Sequence, residues 1–432
     1  MRLRVQTCPI LRGSATVPGD KSITHRALLL GAIAQGVSTV RNSLPSADCQ
    51  ATLNALRALG VTVEQISPSE LLVHGVGLRG LKRPTDPIDC QGSGTTIRLL
   101  AGILAGQPFT STLDGHAGLR RRPMERVAVP LRQMGADIET NDGCPPLTIS
   151  GGSLRGIDYH LPVASAQVKS AALLAGLYAK GQTSVHQPGP SRDHTERMLR
   201  AQGVAIASRD DTITLTPDTR TLAPISLTIP ADFSSAAFPL VAALLVGEAG
   251  VTLEGVGVNS TRTGLLDVLG EMGGEITWLN RTEQGGEPMA DLAVRSSGLR
   301  GVEVYGETVV RMIDEFPILA VAATQAQGET LVRNARELRV KETDRIASVA
   351  AELRALGARI EERDDGFVVE GPTRLRGAQV RSHGDHRLAM ALVVAGLIAE
   401  GETVVEGADV IADSFPGFVS LMQELGVEIE YG

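Results

Sequence analysis

Four cationic residues lie where predicted helices begin, a place that normally disfavours positive charge. They are Lys21, Arg26, Lys169 and Arg387, and the segments around them are rich in Ser, Thr, Asp and Gly, which are common helix N-caps. Cations at this end of a helix oppose its dipole. A bound anion would relieve the conflict, because free amides and side-chain cations then converge on it. The pattern predicts a site for a strongly anionic small ligand; scattered surface charges are the alternative.

Two further basic segments suit the same anion site. The run at residues 120–122 consists of three arginines before a proline, although such a run alone usually lies on a solvated surface. Farther along, Lys341 and Arg345 are four residues apart, so a helix would place them on one face with Glu342 beside them. By itself, that spacing favours an exposed helix with internal ion pairs.

Several familiar motifs fail on their context. Residues 75–80 match GxGxxG but lead into Lys-Arg-Pro rather than a helix, so a dinucleotide site is not expected. Residues 19–22 resemble the end of a phosphate-binding loop, but an aspartate interrupts the Gly-Lys pair. His383 and His386 have no nearby ligand partners at useful spacing, so no metal site is predicted. The scattered cysteines form no CxxC motif and are interpreted as unpaired thiols; they are Cys8, Cys49, Cys90 and Cys144.

Two helical elements recur six times along the chain, at intervals of 68 to 84 residues. In each unit a small-residue apolar helix, interpreted as buried, precedes a mixed and more exposed helix. Both are predicted to end at glycine, a common helix-stop signal. The apolar helices are predicted at 27–36, 97–106, 171–181, 236–250, 318–328 and 388–401. The mixed helices are predicted to end at Gly60, Gly135, Gly203, Gly273, Gly357 and Gly426.

A Leu-Arg-Gly turn closes most of the units, and a further copy lies at residues 11–13. Because the sixth unit lacks its own copy, we expect the N-terminal segment to complete it. The sequence predicts an α/β fold with two similar domains of three units each, residues 20–230 and residues 1–19 plus 231–432. The chain would cross between the domains twice, so we expect a hinge and a ligand cleft there. A solenoid of six stacked units is the alternative.

The composition excludes several classes of protein. The 432 residues include 41 basic and 49 acidic ones, a net charge of −8, so a broad nucleic-acid-binding face is not expected. Aromatic residues make up 3%, which disfavours base-stacking platforms. The longest apolar run, residues 388–399, is too short to span a bilayer. Because the start of the sequence lacks a leader pattern and the cysteines are scattered, we expect a cytoplasmic protein with no membrane partner.

The motifs together resemble the enolpyruvyl transferases over essentially the whole chain. The strongest matches are Pro-Gly-Asp-Lys-Ser-Ile-Thr-His-Arg at 18–26 and Arg-Val-Lys-Glu-Thr-Asp-Arg at 339–345. Supporting pieces are Gly94-Thr95 with Arg98, and residues 122–124, 165–167, 193–196, 259–262, 385–387 and 414–416. The resemblance implies two domains of three βαβαββ units. It also implies transfer of the enolpyruvyl group of phosphoenolpyruvate to the 5-hydroxyl of shikimate 3-phosphate, with release of phosphate through a tetrahedral intermediate.

The same resemblance implies a monomer in aromatic amino-acid biosynthesis, with small anionic substrates and no metal or organic cofactor. Asp314 would accept the 5-hydroxyl proton, Glu342 would give and later remove the C3 proton, and Lys21 would lie between the two phosphates. The implied shikimate 3-phosphate ligands are Lys21, Ser22, Arg26, Ser165, Ala166, Gln167, Arg192, Asp314 and Lys341. The implied phosphoenolpyruvate ligands are Lys21, Gly94, Thr95, Arg122, Gln167, Arg345, His386 and Arg387.

Some positions depart from the family pattern. Residues 192–195 and 259–262 resemble the glyphosate-tolerant class, but Gly94 stands where that class often has alanine. Because glycine leaves room for the inhibitor, we expect glyphosate inhibition of intermediate strength. Three further positions differ from many or some relatives: Gly92, Glu337 and Asp413.

Two rival functions remain open. The UDP-N-acetylglucosamine enolpyruvyl transferases share the fold, but they typically have Lys-Asn after the first glycine and a cysteine in a catalytic loop. Lys21-Ser22 and the cysteine-free loop at 114–123 favour shikimate 3-phosphate as acceptor. The second rival is a non-catalytic anion-binding protein, which would gain nothing from carboxylates such as Asp314 and Glu342 beside cations.

Overall fold

A computed structural model of the protein describes residues 1–217, 221–247 and 250–432. The chain forms two compact units. The first, here called the Lys21 unit, contains Gly19–Ile229 and Glu283–Glu287. The second, here called the Arg345 unit, contains Met1–Pro18, Pro230–Thr282 and Pro288–Gly432.

Within the described residues, six four-stranded sheets share one pairing order. A short strand pairs in parallel with a longer strand, and two antiparallel strands complete the sheet. In the Lys21 unit the orders are Ser226–Thr228, Gln35–Arg41, Glu70–Val76, Thr62–Ser67; Ile88–Asp89, Thr110–Asp114, Cys144–Ser150, Asp137–Asn141; and Asp158–His160, Thr183–His186, Thr212–Thr216, Ala205–Arg209. Leu154–Arg155 and Ala179–Lys180 form a separate parallel pair.

The sheets of the Arg345 unit have the same pairing order, and two of them each include a strand from the start of the chain. Its sheets are Arg12–Ala15, Gly250–Gly257, Glu287–Arg295, Glu275–Gln284; Glu303–Val304, Gly328–Val332, Gly366–Gly371, Arg359–Arg363; and Gln379–Arg381, Thr403–Glu406, Arg2–Val5, Ile429–Tyr431. In the last of these sheets, Leu3 pairs with Val405 on one side and Tyr431 on the other. The N-terminal strands therefore belong to the two sheets built around residues 250–257 and 403–406.

Each sheet accompanies one buried helix, and these six helices are Lys21–Ala32, Gly94–Ala105, Ala166–Gly176, Phe233–Leu245, Phe316–Gln325 and His386–Leu397. They begin earlier and end earlier than the sequence predicts. At five of the six starts a capping side chain, such as Asp20 or Asp385, marks where the helix begins. The cationic residues that follow these caps therefore lie inside the helix. At the other end, Gly36 and Gly328 are already strand residues with positive φ. Residues 248 and 249 of the predicted helix 236–250 lie outside the described residues.

The more exposed helices end where the sequence predicts. They are Ala47–Ala58, Glu125–Met134, His194–Ala201, Gly264–Glu271, Arg345–Ala355 and Phe418–Glu424. Each is followed within two residues by a glycine with φ between +82° and +106°, a left-handed conformation that glycine adopts without a Cβ clash. One further α-helix, Glu307–Arg311, and the 3₁₀ helices Leu119–Arg121, Arg336–Val340 and Ala408–Asp413 complete the described elements.

Each unit has its own apolar core. The core of the Lys21 unit is built mainly from Ala, Val, Leu and Ile, whereas that of the Arg345 unit also contains six phenylalanines, among them Phe238 and Phe418. Burial of these side chains is the main force that holds each unit together. No helix in the described part of the chain is long and apolar enough to cross a membrane.

Candidate active site

In the Lys21 unit, the first helix begins with an ion pair. Asp20 caps the helix by accepting a hydrogen bond from the Ile23 amide at 2.8 Å, which places Lys21 at the first helical position. Lys21 Nζ lies 3.1 Å from Asp48 Oδ2, in the first turn of the next helix. Sequence reasoning missed Asp48, because a single aspartate in a helix start usually indicates only a favourable dipole interaction.

Arg26 is a buried cation held by neutral groups. Its guanidinium donates to Thr195 Oγ1 at 2.7 Å, to Ser170 Oγ at 2.9 Å and to the Ser22 carbonyl at 2.9 Å. Burial lowers the pKa of Arg26 to about 10, although Glu196 and other carboxylates oppose that shift. The group remains charged at neutral pH, and its direct hydrogen-bond partners are oxygens that carry no formal charge.

Lys169, also singled out in the sequence, behaves differently. It is 1% exposed, and its Nζ lies 2.6 Å from Glu196 Oε1, which is equally buried. Because this carboxylate compensates the ammonium charge, Lys169 does not offer an uncompensated charge to a ligand. The expectation that all four helix-start cations serve an anion is therefore wrong for Lys169.

Polar side chains at the next two helix starts form a hydrogen-bonded chain. Arg98 Nη1 donates to Gln167 Oε1 at 2.6 Å, and Gln167 Nε2 donates to Thr95 Oγ1 at 3.1 Å. A Cβ on Gly94 would lie 3.0 Å from Arg98 Nη1 and 3.1 Å from Arg122 Nη1. The structure thus brings together four of the predicted phosphoenolpyruvate ligands: Gly94, Thr95, Arg122 and Gln167.

Shared hydrogen bonds link the helix starts of the Lys21 unit. The Arg26–Ser170 bond joins the first and third buried helices, and Thr96 Oγ1 donates to the Asp48 carbonyl at 3.5 Å. Ser165 caps the third helix, which begins at Ala166. Arg192 lies close enough to Arg26 to lower its pKa. Most of the predicted ligands in this unit therefore belong to one connected polar layer.

Arg345 organises the site in the Arg345 unit. It is 1% exposed, and its guanidinium contacts three carboxylates: Nε to Asp385 Oδ2 at 2.7 Å, Nη2 to Glu342 Oε2 at 2.8 Å and Nη1 to Asp314 Oδ1 at 3.3 Å. Burial disfavours the charged guanidinium, but the three carboxylates together raise the pKa of Arg345. The predicted proton-transfer groups Asp314 and Glu342 are thereby held at one cation.

Lys341 and Arg387 extend this charged group. Burial lowers the pKa of the half-buried Lys341, while Asp314 opposes the shift and Arg345 adds to it. Arg387 Nη2 lies 3.6 Å from Asp314 Oδ2. His386, buried beside Arg387, is the first residue of its helix. Three predicted cations and two predicted carboxylates therefore share one region of the unit.

The predicted helical face for Lys341 and Arg345 is wrong. A 3₁₀ helix ends at Val340, and the next α-helix begins only at Arg345, because Asp344 caps it by accepting from the Ala347 amide at 3.1 Å. Residues 341–344 form an irregular link. Lys341 and Arg345 nevertheless lie near the same two carboxylates, Asp314 and Glu342, whose charges favour the protonated form of both side chains.

Four buried polar side chains near the site form a hydrogen-bond network that the sequence did not predict. The Ser234 hydroxyl donates to Glu315 Oε1, and Arg262 Nη2 donates to Ser234 Oγ at 2.8 Å and to Asp232 Oδ1 at 3.4 Å. Arg387 Nη1 lies 4.0 Å from Glu315 Oε1. The Asn-Ser-Thr-Arg segment and the Asp at the fourth helix start were the signals available in the sequence, but no spacing rule pairs them.

Comparisons with known proteins agree on one family. Residues 5–422 match the family model described as EPSP synthase (3-phosphoshikimate 1-carboxyvinyltransferase). A protein from Desulforamulus reducens named 3-phosphoshikimate 1-carboxyvinyltransferase is 49% identical over 430 residues, covering 99% of this chain and 100% of the relative. A protein of the same name from Acidithiobacillus ferrooxidans is 51% identical over 420 residues, 97% of this chain and 96% of that one.

Solved structures give the same result. EPSP synthase from Acinetobacter baumannii superposes with a TM-score of 0.91 at 43% identity, over 100% of both chains. The enolpyruvyl transferase NikO from Streptomyces tendae shares the fold, with a TM-score of 0.82 at 20% identity over 100% of this chain and 98% of the other. The chain therefore belongs to the EPSP synthase (3-phosphoshikimate 1-carboxyvinyltransferase) family and has the mixed α/β fold of the enolpyruvyl transferases.

Proposed function

We propose that the protein transfers the enolpyruvyl group of phosphoenolpyruvate to the 5-hydroxyl of shikimate 3-phosphate and releases phosphate, a step in aromatic amino-acid biosynthesis. Family membership over residues 5–422 supports this reaction. The observation that carries it is the placement of Asp314 and Glu342 on one buried guanidinium, that of Arg345. Addition to an enol requires a base and an acid beside cations, and this cluster supplies both kinds of group.

In the addition step, the 5-hydroxyl oxygen attacks C2 of phosphoenolpyruvate. Asp314 accepts the hydroxyl proton, and the carboxylic acid form of Glu342 gives a proton to C3, so the double bond is replaced by a new C–O and a new C–H bond. A substrate anion bound at Arg345 competes with Glu342 for the guanidinium N–H groups, which now lie 2.8 Å from Glu342 Oε2. That competition would free Glu342 to act in proton transfer.

In the elimination step, the tetrahedral intermediate returns to an enol. Glu342 removes a proton from C3, the C2–C3 double bond forms again, and the bond from C2 to the phosphate oxygen breaks. Lys21, near both phosphates, stabilises the charge on the leaving phosphate and assists proton transfer. The Lys21–Asp48 ion pair at 3.1 Å keeps the ammonium group in place before the substrates bind.

The proposed binding residues are those that the family resemblance implies. In the Lys21 unit, Ser22, Arg26, Ser165, Ala166, Gln167 and Arg192 would hold shikimate 3-phosphate, and Gly94, Thr95, Arg122 and Gln167 would hold phosphoenolpyruvate. In the Arg345 unit, Asp314 and Lys341 would contact shikimate 3-phosphate, and Arg345, His386 and Arg387 would contact phosphoenolpyruvate. The proposed enzyme acts as a cytoplasmic monomer and needs neither nucleic acid nor a cofactor.

The proposal is tested by following both substrates at once. Purified protein is incubated with phosphoenolpyruvate and shikimate 3-phosphate, and phosphorus NMR records the substrates, inorganic phosphate and the new enol-ether product, which keeps the 3-phosphate of the acceptor. We expect phosphate and the enolpyruvyl product to appear in equal amounts. Phosphate without the product, or no reaction with wild-type protein, would contradict the proposal.

A further inference from the structure

Three potential metal ligands meet on one sheet of the Lys21 unit, in a region that the proposed reaction does not use. They are Asp158 and His160 on the edge strand and His186 on the neighbouring strand. The strands are parallel and pair His160 with His186, while Asp158 lies two residues before His160 on the same face. One ligand atom from each residue lies within 4.8 Å of the others.

The cluster has a defined internal geometry. Asp158 Oδ1 lies 2.5 Å from His186 Nε2 and 4.0 Å from His160 Nε2. The two imidazole rings are stacked, with centroids 4.1 Å apart and planes 9° from parallel. His160 and Asp158 are 81% and 70% exposed, and His186 is 28% exposed. The donor atoms are therefore close together and open to solvent on one side.

The other ring nitrogen of His186, Nδ1, also contacts an oxygen atom. Thr212 Oγ1, on the next strand, lies 2.9 Å from His186 Nδ1. Metal-binding histidines usually give their second ring N–H to an oxygen acceptor, which fixes the tautomer and directs the other nitrogen at the metal. In the structure Nε2 donates to Asp158 Oδ1 at 2.5 Å, so Nδ1 of the neutral ring accepts from the Thr212 hydroxyl. A metal ion that replaced the proton on Nε2 would leave the ring proton on Nδ1, which could then donate to Thr212 Oγ1.

We propose that Asp158, His160 and His186 bind a divalent transition-metal ion of the Zn²⁺ or Cu²⁺ type. Imidazole nitrogens with one carboxylate oxygen suit these ions. Tetrahedral Zn²⁺ holds its ligand atoms roughly 3.3 Å apart. Asp158 Oδ1 and His186 Nε2, now 2.5 Å apart, must therefore separate by about 0.8 Å. The exposed His160 ring, whose Nε2 is 4.0 Å from Asp158 Oδ1, must turn out of its stack and approach by about 0.7 Å. Water completes the coordination, and the ion fastens the three-residue edge strand to its neighbour.

This proposal does not depend on the enolpyruvyl transfer reaction. In the sequence, only His383 and His386 stand out as a candidate metal pair, and no metal site is predicted. His186 follows His160 by 26 residues, which is outside the spacing of known zinc motifs. Only the parallel strand register brings the two imidazoles together. The alternative is a plain ion pair between a protonated His186 and Asp158, which would not take up metal.

The test uses full-length protein without an affinity tag, stripped of metal and titrated with Zn²⁺ by calorimetry. His160→Ala removes one ligand from an exposed position, and His74→Ala is the matched control, since His74 pairs with Glu64 at 2.7 Å but lies outside the cluster. We expect one Zn²⁺ to bind to wild type and His74→Ala, and binding to weaken at least about tenfold in His160→Ala. Equal binding in all three proteins, or no saturable binding by wild type, would overturn the proposal.

Two further readouts report on the coordination itself. Electron paramagnetic resonance of added Cu²⁺ should show coupling to two imidazole nitrogens in wild type and to one in His160→Ala. At the same concentration, Zn²⁺ should raise the thermal midpoint of wild type more than that of His160→Ala, because stabilisation by a ligand increases with its affinity for the folded state. Equal Zn²⁺-induced shifts in the two proteins, or Cu²⁺ coupling to fewer than two imidazole nitrogens in wild type, would refute the metal site.

Discussion

The carboxylate of Asp385 has two tasks: it binds the guanidinium of Arg345, and it caps the helix that contains Arg387. One carboxylate oxygen, Oδ2, accepts from Arg345 Nε at 2.7 Å, and the other, Oδ1, accepts from the Arg387 amide at 2.9 Å as the cap of the last buried helix. Asp385 is fully buried. The start of that helix therefore fixes both the guanidinium of Arg345 and the backbone of Arg387, two cations expected to bind the same substrate.

Asp385→Asn separates these two tasks. The amide oxygen can still cap the helix, but the charged partner of Arg345 is lost. Because a hydrogen bond to a charged group contributes about 1.5–3 kcal/mol, we expect kcat/KM for phosphoenolpyruvate to fall roughly ten- to hundredfold. Steady-state kinetics measures this, and circular dichroism checks that the fold is kept. Asp267→Asn, which breaks an exposed ion pair with Arg311 of 2.6 Å, serves as the control and should be nearly neutral.

Glu342→Gln tests the proton-transfer carboxylate. The amide has the same shape and can still contact Arg345, but it cannot exchange a proton with C3. We expect kcat to fall by a factor on the order of 10² to 10⁴, as for loss of a general acid or base. Binding of shikimate 3-phosphate, measured by calorimetry, should change little. Turnover close to that of wild type would refute the proposed role of Glu342.

Gly94→Ala tests the space beside two arginines. The new Cβ would lie 3.0 Å from Arg98 Nη1 and 3.1 Å from Arg122 Nη1, so both flexible side chains must shift. We expect KM for phosphoenolpyruvate to rise by up to about tenfold and the glyphosate concentration that halves activity to rise as well. Gly152→Ala, whose Cβ meets nothing within 4 Å, should leave both values unchanged. Wild-type activity that survives high millimolar glyphosate would contradict the expected sensitivity.

We expect the buried His25 side chain to make the free energy of unfolding depend on pH. It is fully buried, with Nδ1 2.6 Å from Thr52 Oγ1, and burial lowers its pKa to about 4. Between that value and about 6.5 the unfolded chain binds more protons, so stability is complete above this window and is lost as pH falls through it. The loss attributable to His25 is on the order of 3 kcal/mol.

Urea unfolding of wild type and His25→Asn between about pH 7 and pH 4.5 measures this contribution. Other titrating groups are common to both proteins, so the difference between their pH slopes isolates His25. We expect the free energy of unfolding to fall less steeply with acid in the variant. Identical slopes would show that His25 does not contribute to acid sensitivity.

The sequence predicts the repeated architecture well because glycine and apolar periodicity are local signals. All six mixed helices end beside their predicted glycine, for example at Gly135 with φ of +106°. The sequence predicts that the apolar helices begin too late, because the apolar run starts only after a polar first turn. The first of these helices, for example, begins at Lys21, directly after its cap Asp20.

The sequence does not indicate which residues form ion pairs with the predicted site residues. Asp48 lies 27 residues from Lys21, and Asp385 lies 40 residues from Arg345. Such pairs depend on which helix starts become neighbours, and neither period 3.6 nor period 2 carries that information. The same limit explains why the cluster around His186 emerged only from strand register.

Phosphate release tests the central claim most directly, with phosphoenolpyruvate held constant and the acceptor varied. Wild-type protein is assayed with shikimate 3-phosphate and, separately, with UDP-N-acetylglucosamine. We predict rapid release with shikimate 3-phosphate and none above background with UDP-N-acetylglucosamine. Release only with UDP-N-acetylglucosamine would contradict the account.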